Sequence, residues 1–543
     1  MAKSKSANDN FIKQGSILAV ASVISRIIGL LYRSPMTAII GDEGNGLYSY
    51  AFEVYSIALI LSSYSMPLAV SKILSGKIAR KEYRNAYKIF RYAMIFAAIS
   101  GFTMMAIIFF AAPFIEKISN YQGLTLPLRV LSPTIFVVAI VGTIRGFFQS
   151  RKTMIPTAVS QLADQIINAL VSVLAAYLFV LTAKNSLDHA SKGAAGGTLG
   201  TLFGALSSLF FLIFLFVIYR PRMKKHLAHD RSYREDTSAD IWKMLFATIV
   251  PVILSQSVYQ ASGLIDGTLF GNLYGGENNS SLWGSYSTKY RVLVNVPNAI
   301  ASSMASSMIP TLVSLYSVGN MKAFKNKLAI SVKVNMMIAI PCAVGLAVLG
   351  TPIMRLLFPT TDFTLSGKML TFGSIAVVFY ALSTITNAAL QGLDKMRKPV
   401  INAAISLAIH VVLTVILLKF TGLGVYTLII GNITFPLVVC ILNWIDVNRY
   451  AGYHQEIIKT FLIPSGASLI MGAFAFGIYK LIVLIGGASY IVNFIGILIS
   501  MILAVIIYFA VMFLTKGLTH KDLLDFPMGL RIERLAVKLK LMR

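Results

Sequence analysis

The sequence predicts an all-α polytopic membrane protein. About fourteen transmembrane helices are expected, as two pseudo-symmetric six-helix lobes around a central cavity, followed by two C-terminal helices. Three observations lead to this prediction. Of the 543 residues, 56% are hydrophobic and 13% charged, with a mean hydropathy of +0.74, whereas soluble domains carry about 25% charged residues. Apolar runs of about 20 residues, the length that spans a bilayer as a helix, recur along the chain. Two distant segments also resemble each other.

The apolar runs give the predicted helices in order. The first run contains two arginines and lacks a cleavage site of small residues, so we expect a retained helix and not a signal peptide. The fourteen runs cover residues near 12–40, 47–72, 92–113, 129–150, 157–182, 196–219, 243–271, 285–317, 327–350, 368–390, 399–420, 424–446, 459–483 and 490–515.

One long hydrophilic segment, residues 220–243, separates six of these runs from the other eight. This segment is predicted to link the two lobes. The predicted domains are an N-lobe with helices 1 to 6 (1–220), a cytoplasmic linker (221–242), a C-lobe with helices 7 to 12 (243–446), helices 13 and 14 (447–515), and a basic cytoplasmic tail (516–543).

An internal repeat supports this division. Residues 145–173 resemble residues 387–415: each segment has a helix that ends in Gln, a short basic turn, and a Pro that opens the next helix. The offset of about 242 residues maps helices 4 and 5 onto helices 10 and 11. Parallel repeats of this kind place a substrate site between the halves, near the middle of the membrane.

The basic excess of the chain follows membrane topology. There are 48 Lys and Arg against 21 Asp and Glu, a net charge of +27, which on its own would also suit a nucleic-acid-binding protein. With the N-terminus inside, the predicted inside loops and tails hold 34 basic residues and the outside loops hold 8. This asymmetry predicts that both termini are cytoplasmic and that nucleic acid is not a partner. Cys342 and Cys440 are isolated within apolar runs, so neither a disulfide nor a thiol metal site is predicted.

Several predicted helices carry charged or polar residues at helical spacing. Residues seven apart lie almost on one helix face, about 10 Å apart along the axis. The predicted cavity residues are Arg26 and Arg33 on helix 1, Glu53 on helix 2, Asp266 on helix 7, and Lys289, Arg291, Asn295 and Asn298 on helix 8. An arginine at the bilayer centre costs roughly 2.5 to 3.5 kcal/mol on insertion scales, so we expect these faces to line a wet cavity. Four cations against two acids leave a charge of +2, which suits a diphosphate or carboxylates.

Simpler interpretations stay open for some of these residues. Arg33 could extend to the membrane interface or pair with Glu53, and Lys289 could cap the outer end of helix 8. Asp266 could bind a cation or a proton, or could neutralise an arginine. Two further residues are candidates for ion coupling: Asp164 on a polar face of helix 5, and His410, the only histidine within a predicted span. A buried imidazole bonded to the backbone is the alternative for His410.

The chain resembles the multidrug/oligosaccharidyl-lipid/polysaccharide (MOP) exporter superfamily over nearly its whole length. Within it, the likeness is to polysaccharide-biosynthesis flippases of the stage V sporulation protein B type and to the lipid II flippases. The segments that carry the resemblance are SRIIGLLYR in helix 1, YRVLVNVPNAIASSMASSMIPTLVSL in helix 8 and the turn QGLDKMRKP.

The resemblance implies roles for particular residues. Arg26, Arg33 and Arg291 correspond to arginines that project into a cationic cavity in the lipid II flippases, whereas Glu53 stands on helix 2 where an arginine is expected. Those flippases also bind a cation through acids of helices 7 and 11. Asp266 fits the first, but helix 11 offers Asn402 and His410 instead of a carboxylate. The last two helices would form a groove for a polyprenyl tail.

The favoured hypothesis is therefore a flippase, not an enzyme. It would move a polyprenyl-diphosphate-linked saccharide, with lipid II as the leading substrate, across a bacterial plasma membrane by alternating access. We expect a monomer with no cofactor, in contact with membrane lipids, and coupling to the membrane potential, Na⁺ or H⁺. One alternative is a multidrug cation antiporter, which needs an acidic cavity. The other is a membrane glycosyltransferase with a lipid-linked donor, which needs acidic residues on large outer loops, whereas the outer loops here are short.

Overall fold

The structure, a computed structural model, describes residues 21–518 except 64, 152, 231, 233, 234, 275, 277 and 488. All regular structure in this part of the chain is helical. The helices are α1 (Ala21–Leu31), α2 (Arg33–Ser62), α3 (Met66–Ala79), α4 (Tyr83–Ser119), α5 (Thr125–Gln149), α6 (Ile155–Val180), α7 (Ser186–Ala228), α8 (Ser238–Leu273), α9 (Asn279–Gly284), α10 (Arg291–Ser317), α11 (Met321–Val348), α12 (Gly350–Leu357), α13 (Phe363–Gly373), α14 (Ala376–Gly392), α15 (Arg397–Phe420), α16 (Tyr426–Ala451), α17 (Ile463–Gly486) and α18 (Tyr490–Leu514). Two π-helical segments, Ser285–Tyr290 and Ile458–Leu462, precede α10 and α17.

The prediction of an all-α polytopic membrane protein is confirmed. Among the described residues, twelve helices are long and apolar enough to cross a membrane, or thirteen if α13 and α14, which meet at a bend of 49°, form one span. The start of the first predicted span (12–20) and nearly all of the predicted basic tail lie outside the described residues. The predicted helices 1 and 2 meet inside α2 at Gly41, where φ is 69°. Glycine is needed there because a side chain strongly disfavours this backbone conformation.

The hydrophilic segment before α8 is only partly an extended linker. Helix α7 continues to Ala228, so the predicted linker begins as a helix, and Thr237 opens α8 with a capping box to Asp240. Between the two helices, Asp236 pairs with Lys77 of α3 at 2.7 Å, and Lys77 also pairs with Glu82 at 2.9 Å. The hydrogen bond from Lys77 holds the pKa of Glu82 below its ordinary value. The segment is thus anchored to the α3–α4 turn. The predicted domain boundaries stay predictions.

Contacts divide the chain into two compact units, Met1–Gly284 and Ser285–Arg543. In the first unit, glycines let α7 pack closely on α6. A Cβ atom on Gly196 would lie 2.5 Å from the Ala175 carbonyl oxygen, and one on Gly200 would lie 2.4 Å from the Ser172 nitrogen. Small residues at helix contacts are typical of membrane proteins, where close backbone approach replaces the hydrophobic effect as the source of attraction.

In the second unit, α17 and α18 pack against α11. Met337, Met471 and Met512 belong to one buried cluster, and the Tyr508 hydroxyl donates a hydrogen bond of 2.9 Å to the Met337 carbonyl oxygen. The opposite faces carry strongly exposed aliphatic side chains, such as Leu484 at 83%. An aliphatic surface of this kind faces lipid in a membrane protein.

Candidate functional site

The predicted site residues fall in both units, and the arginines of helix 1 lie in the first. Arg26 is exposed on α1, and Arg33 is partly buried at the start of α2. The helical turn continues between them, because the Tyr32 nitrogen donates to the Ile28 carbonyl oxygen and the Met36 nitrogen to the Tyr32 carbonyl oxygen, both at 3.1 Å. The two arginines are therefore two turns apart on nearly one face, as predicted.

The two predicted acids lie at the contact between α2 and α8. A Cβ atom on Gly263 would lie 2.3 Å from the Glu53 Oε2 atom, so the Glu53 carboxylate packs directly on α8. Asp266 lies one turn further along α8 and is buried. At the same contact between α2 and α8, the hydroxyls of Tyr50 and Thr268 share a hydrogen bond of 2.7 Å. The structure thus places the Glu53 carboxylate on α8 within one turn of Asp266, although the two acids lie more than 200 residues apart in the sequence.

An aromatic cluster fixes this contact, and sequence reasoning missed it. The Tyr50 ring lies 4.8 Å from the Tyr121 ring and 6.4 Å from the Trp283 ring, measured between centroids. The Tyr121 hydroxyl donates to the Gly267 carbonyl oxygen at 3.1 Å. Gly263 and Gly267, four residues apart on one face of α8, were the available sequence signal for a close helix contact.

Asp164 forms part of a polar cluster between α5, α6 and α7. Arg145 donates from Nε to the Ser160 hydroxyl at 2.9 Å and from Nη2 to the Ser208 hydroxyl at 3.2 Å, and its Nη2 lies 4.0 Å from the Asp164 Oδ2. Gly204 makes room for the carboxylate, because a Cβ atom there would lie 2.5 Å from Asp164 Oδ1. Asp164 therefore neutralises Arg145, and its role in ion coupling stays a prediction.

In the second unit, the two basic residues of helix 8 differ in their surroundings. Lys289 is fully buried within the π-helical segment; its Nζ donates to the Thr361 hydroxyl at 2.7 Å and lies 5.8 Å from the centre of the Phe358 ring. Arg291 is partly buried, with its Cζ atom 5.9 Å from the centre of the Tyr286 ring. These contacts hold Lys289 within its own unit. Its role in substrate binding stays a prediction.

The predicted asparagines continue the Arg291 face of α10. Asn295 is exposed, and both polar atoms of the Asn298 side chain are buried with no hydrogen-bond partner among the described residues. Buried amides are almost always hydrogen-bonded. Asn298 is thus a polar group with unused hydrogen-bonding capacity, two turns from Arg291 on the same face of α10.

His410 and Asn402 of α15 both lie in buried polar contacts to α16. The His410 ring is 2% exposed, and its Nδ1 lies 3.2 Å from the Gly431 carbonyl oxygen, a backbone contact typical of a structural histidine. Asn402 donates to Asn443 and to Asp446, each at 2.9 Å. A coupling role for His410 stays a prediction.

Sequence reasoning also missed the amide network to which Asn402 belongs. Asn443 donates to the side-chain oxygen of Asn387 at 2.7 Å, and Asp446 pairs with Lys398 at 3.3 Å. The internal repeat was the available signal, because Asn387 and Asn402 stand at the same offset of about 242 residues from Arg145 and Ser160.

Comparison with known proteins agrees with this architecture. Residues 11–316 match the family described as "Polysaccharide biosynthesis protein". The chain is 26% identical over 477 residues to the lipid II flippase MurJ of Bacillus subtilis, covering 84% of this chain and 86% of the relative.

Two solved structures share the fold. A structure of lipid II flippase MurJ in an inward closed conformation aligns with a TM-score of 0.66 and 18% identity, covering 90% of this chain and 97% of that one. An inward-facing multidrug resistance transporter of the MATE family, in the MOP superfamily, aligns with a TM-score of 0.66 and 15% identity, covering 79% and 99%. The resemblance to polysaccharide-biosynthesis proteins and lipid II flippases is confirmed, the fold is shared with a transporter of the MOP superfamily, and the chain is a multi-pass membrane protein.

Proposed function

Because the chain belongs to the polysaccharide biosynthesis protein family, we propose that it is a flippase for a polyprenyl-diphosphate-linked saccharide, with the peptidoglycan precursor lipid II as its substrate. The observation that carries this proposal is the similarity to the lipid II flippase of Bacillus subtilis, which extends over 84% of the chain. Similarity of this extent includes both units.

The arginines supply the chemistry that a diphosphate needs. A guanidinium group stays charged at all physiological pH values and holds two phosphate oxygens at once. Arg26 is exposed on its helix, and Arg291 is partly buried beside an aromatic ring. Each guanidinium therefore lies on a membrane helix where it is at least partly accessible to a phosphate.

The asparagines of α10 supply the chemistry that a saccharide needs. An amide both donates and accepts hydrogen bonds, which matches the hydroxyl and acetamido groups of a sugar. Asn298 has both amide atoms buried with no bond to the described residues, and Asn295 is exposed on the same helix. Binding of a sugar would satisfy Asn298 and compensate the cost of burying it.

Transport requires helices that bend, and the described residues contain at least three interruptions of regular α-helix. Gly41 interrupts α2, the π-helical segment precedes Arg291, and α13 meets α14 at 49°. Such interruptions are where membrane helices change direction. In the proposed alternating-access cycle, the buried acid Asp266, one turn along α8 from the residue that Glu53 contacts, takes up Na⁺ or H⁺, and the membrane potential assists the return step.

The test is transport in cells depleted of the chromosomal protein. Lipid-linked precursor in the outer leaflet is scored by its cleavage with an externally added precursor-degrading enzyme. Wild type should restore cleavage, whereas Arg26→Ala and Arg291→Ala should not, at equal abundance in the membrane. Arg129→Ala is the matched control, since Arg129 is an exposed arginine of α5 that contacts the Phe109 ring. Normal cleavage in Arg291→Ala cells would contradict the binding role, and cleavage that does not depend on the protein would contradict the flippase.

A further inference from the structure

The second unit contains a cavity of about 690 Å³ between the end of α11, the short helix α12 and the middle of α17. Its volume is that of a small-molecule site. Part of the lining is apolar: it consists of Ala347 and Val348 of α11 together with Gly472 and Ala473 of α17. None of the predicted site residues lines the cavity.

Two lining residues of the cavity are held in place by hydrogen bonds to Asn493, which does not line it. The Tyr479 hydroxyl donates to the Asn493 side-chain oxygen at 2.7 Å, and the Asn493 amide donates to the Pro352 carbonyl oxygen at 3.2 Å. Gly472 lets α17 approach α11, because a Cβ atom there would lie 2.7 Å from a Val344 methyl carbon. The cavity is therefore preformed, which lowers the entropic cost of binding.

Two cations line this cavity. Arg355 lies in the last turn of α12 with its Cζ 5.9 Å from the Phe363 ring centre, and the Lys480 Nζ of α17 lies 4.7 Å from the Phe476 ring centre. Of the twelve described residues that line the cavity, none is acidic. The lining thus favours an anion on electrostatic grounds.

The surroundings of Lys480 indicate that this anion comes from the membrane. Along α17, Phe476 is 44% exposed on one side of Lys480 and Leu484 is 83% exposed on the other. The lysine therefore lies within the lipid-facing surface, about 9 Å before the end of its helix at the standard rise of 1.5 Å per residue. A lysine at this depth is stabilised by a counter-charge from the lipid headgroups.

We propose that this cavity binds one anionic phospholipid of the membrane. The phosphate lies between Arg355 and Lys480, and an acyl chain lies along the wall formed by Ala347, Val348 and Ala473. A zwitterionic lipid is disfavoured, because its own ammonium group adds a third cation to Arg355 and Lys480. None of these residues belongs to the predicted cationic cavity, but the resemblance places a groove for the polyprenyl tail on α17 and α18, so the experiment includes a polyprenyl diphosphate to separate a phospholipid from the transported lipid.

The experiment is native mass spectrometry of the full-length protein released from detergent micelles with defined lipid. Wild type is titrated with dioleoyl phosphatidylglycerol, with dioleoyl phosphatidylcholine and with inorganic phosphate. The test variant is Arg355→Gln with Lys480→Gln. The matched control is Lys368→Gln with Lys419→Gln, which removes two exposed lysines of the same unit that do not line the cavity. A further variant, Ala473→Trp, fills the apolar wall and leaves both charges.

Wild type and the control should bind one phosphatidylglycerol with the same affinity. The test variant should bind it about tenfold more weakly, the ratio expected from losing charge-assisted bonds. Ala473→Trp should also weaken it, and phosphatidylcholine should bind weakly to all four proteins. Equal phosphatidylglycerol binding by wild type and the test variant would overturn the proposal. Displacement of the lipid by millimolar inorganic phosphate would overturn its lipid part, and displacement by an equimolar polyprenyl diphosphate would reassign the site to the transported lipid.

Discussion

The ion pair between Arg145 and Asp164 allows two interpretations of the role of Asp164 within the membrane. Either Asp164 only neutralises Arg145, or it also takes part in ion coupling. We predict that the pair is energetically coupled and that Asp164 is dispensable once Arg145 is removed. The perturbations are Arg145→Met, Asp164→Asn and the double variant, because methionine keeps much of the arginine volume and asparagine keeps the shape of the acid.

The expected magnitude follows from the geometry. Opposite unit charges at the observed 4.0 Å attract by about 4 kcal/mol at an effective dielectric constant of 20, before desolvation is subtracted. The side chains are 19% and 30% exposed, which places the pair between a surface pair worth about 0 to 1 kcal/mol and a buried pair whose disruption costs about 3 to 5 kcal/mol. We therefore expect a coupling free energy of about 2 kcal/mol. In Asp164→Asn the guanidinium keeps its bonds to Ser160 and Ser208, so Arg145→Met should be the more destabilising single change.

The assay is equilibrium unfolding of the purified protein in mixed detergent and dodecyl sulfate micelles, analysed as a double-mutant cycle. The Asp188–Lys192 pair in the first two turns of α7 is the control. Its nitrogen and oxygen atoms are closer, at 2.9 Å, but it lies at the end of a membrane helix, so a smaller coupling is expected. A cycle for Arg145 and Asp164 that closes within about 0.3 kcal/mol of zero would refute the reasoning.

The same variants then decide the role of Asp164 in transport. If the acid only neutralises Arg145, the double variant should restore outer-leaflet precursor that Asp164→Asn alone reduces. A double variant that folds normally and still fails to transport would show that Asp164 has a function of its own.

Two further predictions concern the other polar contacts. Asn443→Leu removes three hydrogen bonds of the buried Asn443 side chain and should lower the free energy of unfolding by about 2 kcal/mol, at roughly 0.6 kcal/mol per bond in a membrane protein. Asn295→Leu should have little effect on the same measurement. The pKa of Glu82 is lowered by its bond from Lys77, so the stability that this bond contributes is complete above the ordinary pKa of 4.5 and is lost as the pH falls through the lower folded value. The midpoint temperature of thermal unfolding should therefore be higher for wild type than for Glu82→Gln at pH 7, and the difference should disappear only as the pH falls towards 3. A difference in midpoint that persists at the lowest pH would contradict this.

The helices could be predicted from the sequence because a bilayer demands long apolar runs. The polar face that contains Arg26 and Arg33 could be predicted because it depends only on helical spacing. The burial of Lys289 could not, since its partner Thr361 is 72 residues away and the π-helical segment that turns it inward has no clear sequence signature. The contact between Glu53 and α8 likewise depends on long-range packing.

The predicted internal repeat pairs polar groups that join helices in the two units. Arg145 and Ser160 in the first unit, and Asn387 and Asn402 in the second, stand at equivalent positions and join neighbouring helices through side-chain hydrogen bonds. The chemical groups differ between the two units, but in both units polar side chains at these positions join neighbouring helices. Charge at such a position can therefore be structural.

This distinction separates the cations of the membrane helices into two groups. Arg145 and Lys289 are held by hydroxyl groups of their own units, so their replacement should first change stability. Arg26 is exposed, and Arg291 continues a face that contains exposed Asn295, so their replacement should first change transport. Because burial makes a charge costly unless the protein itself compensates it, accessibility to a ligand is the better criterion for a substrate-binding arginine than its depth in the membrane.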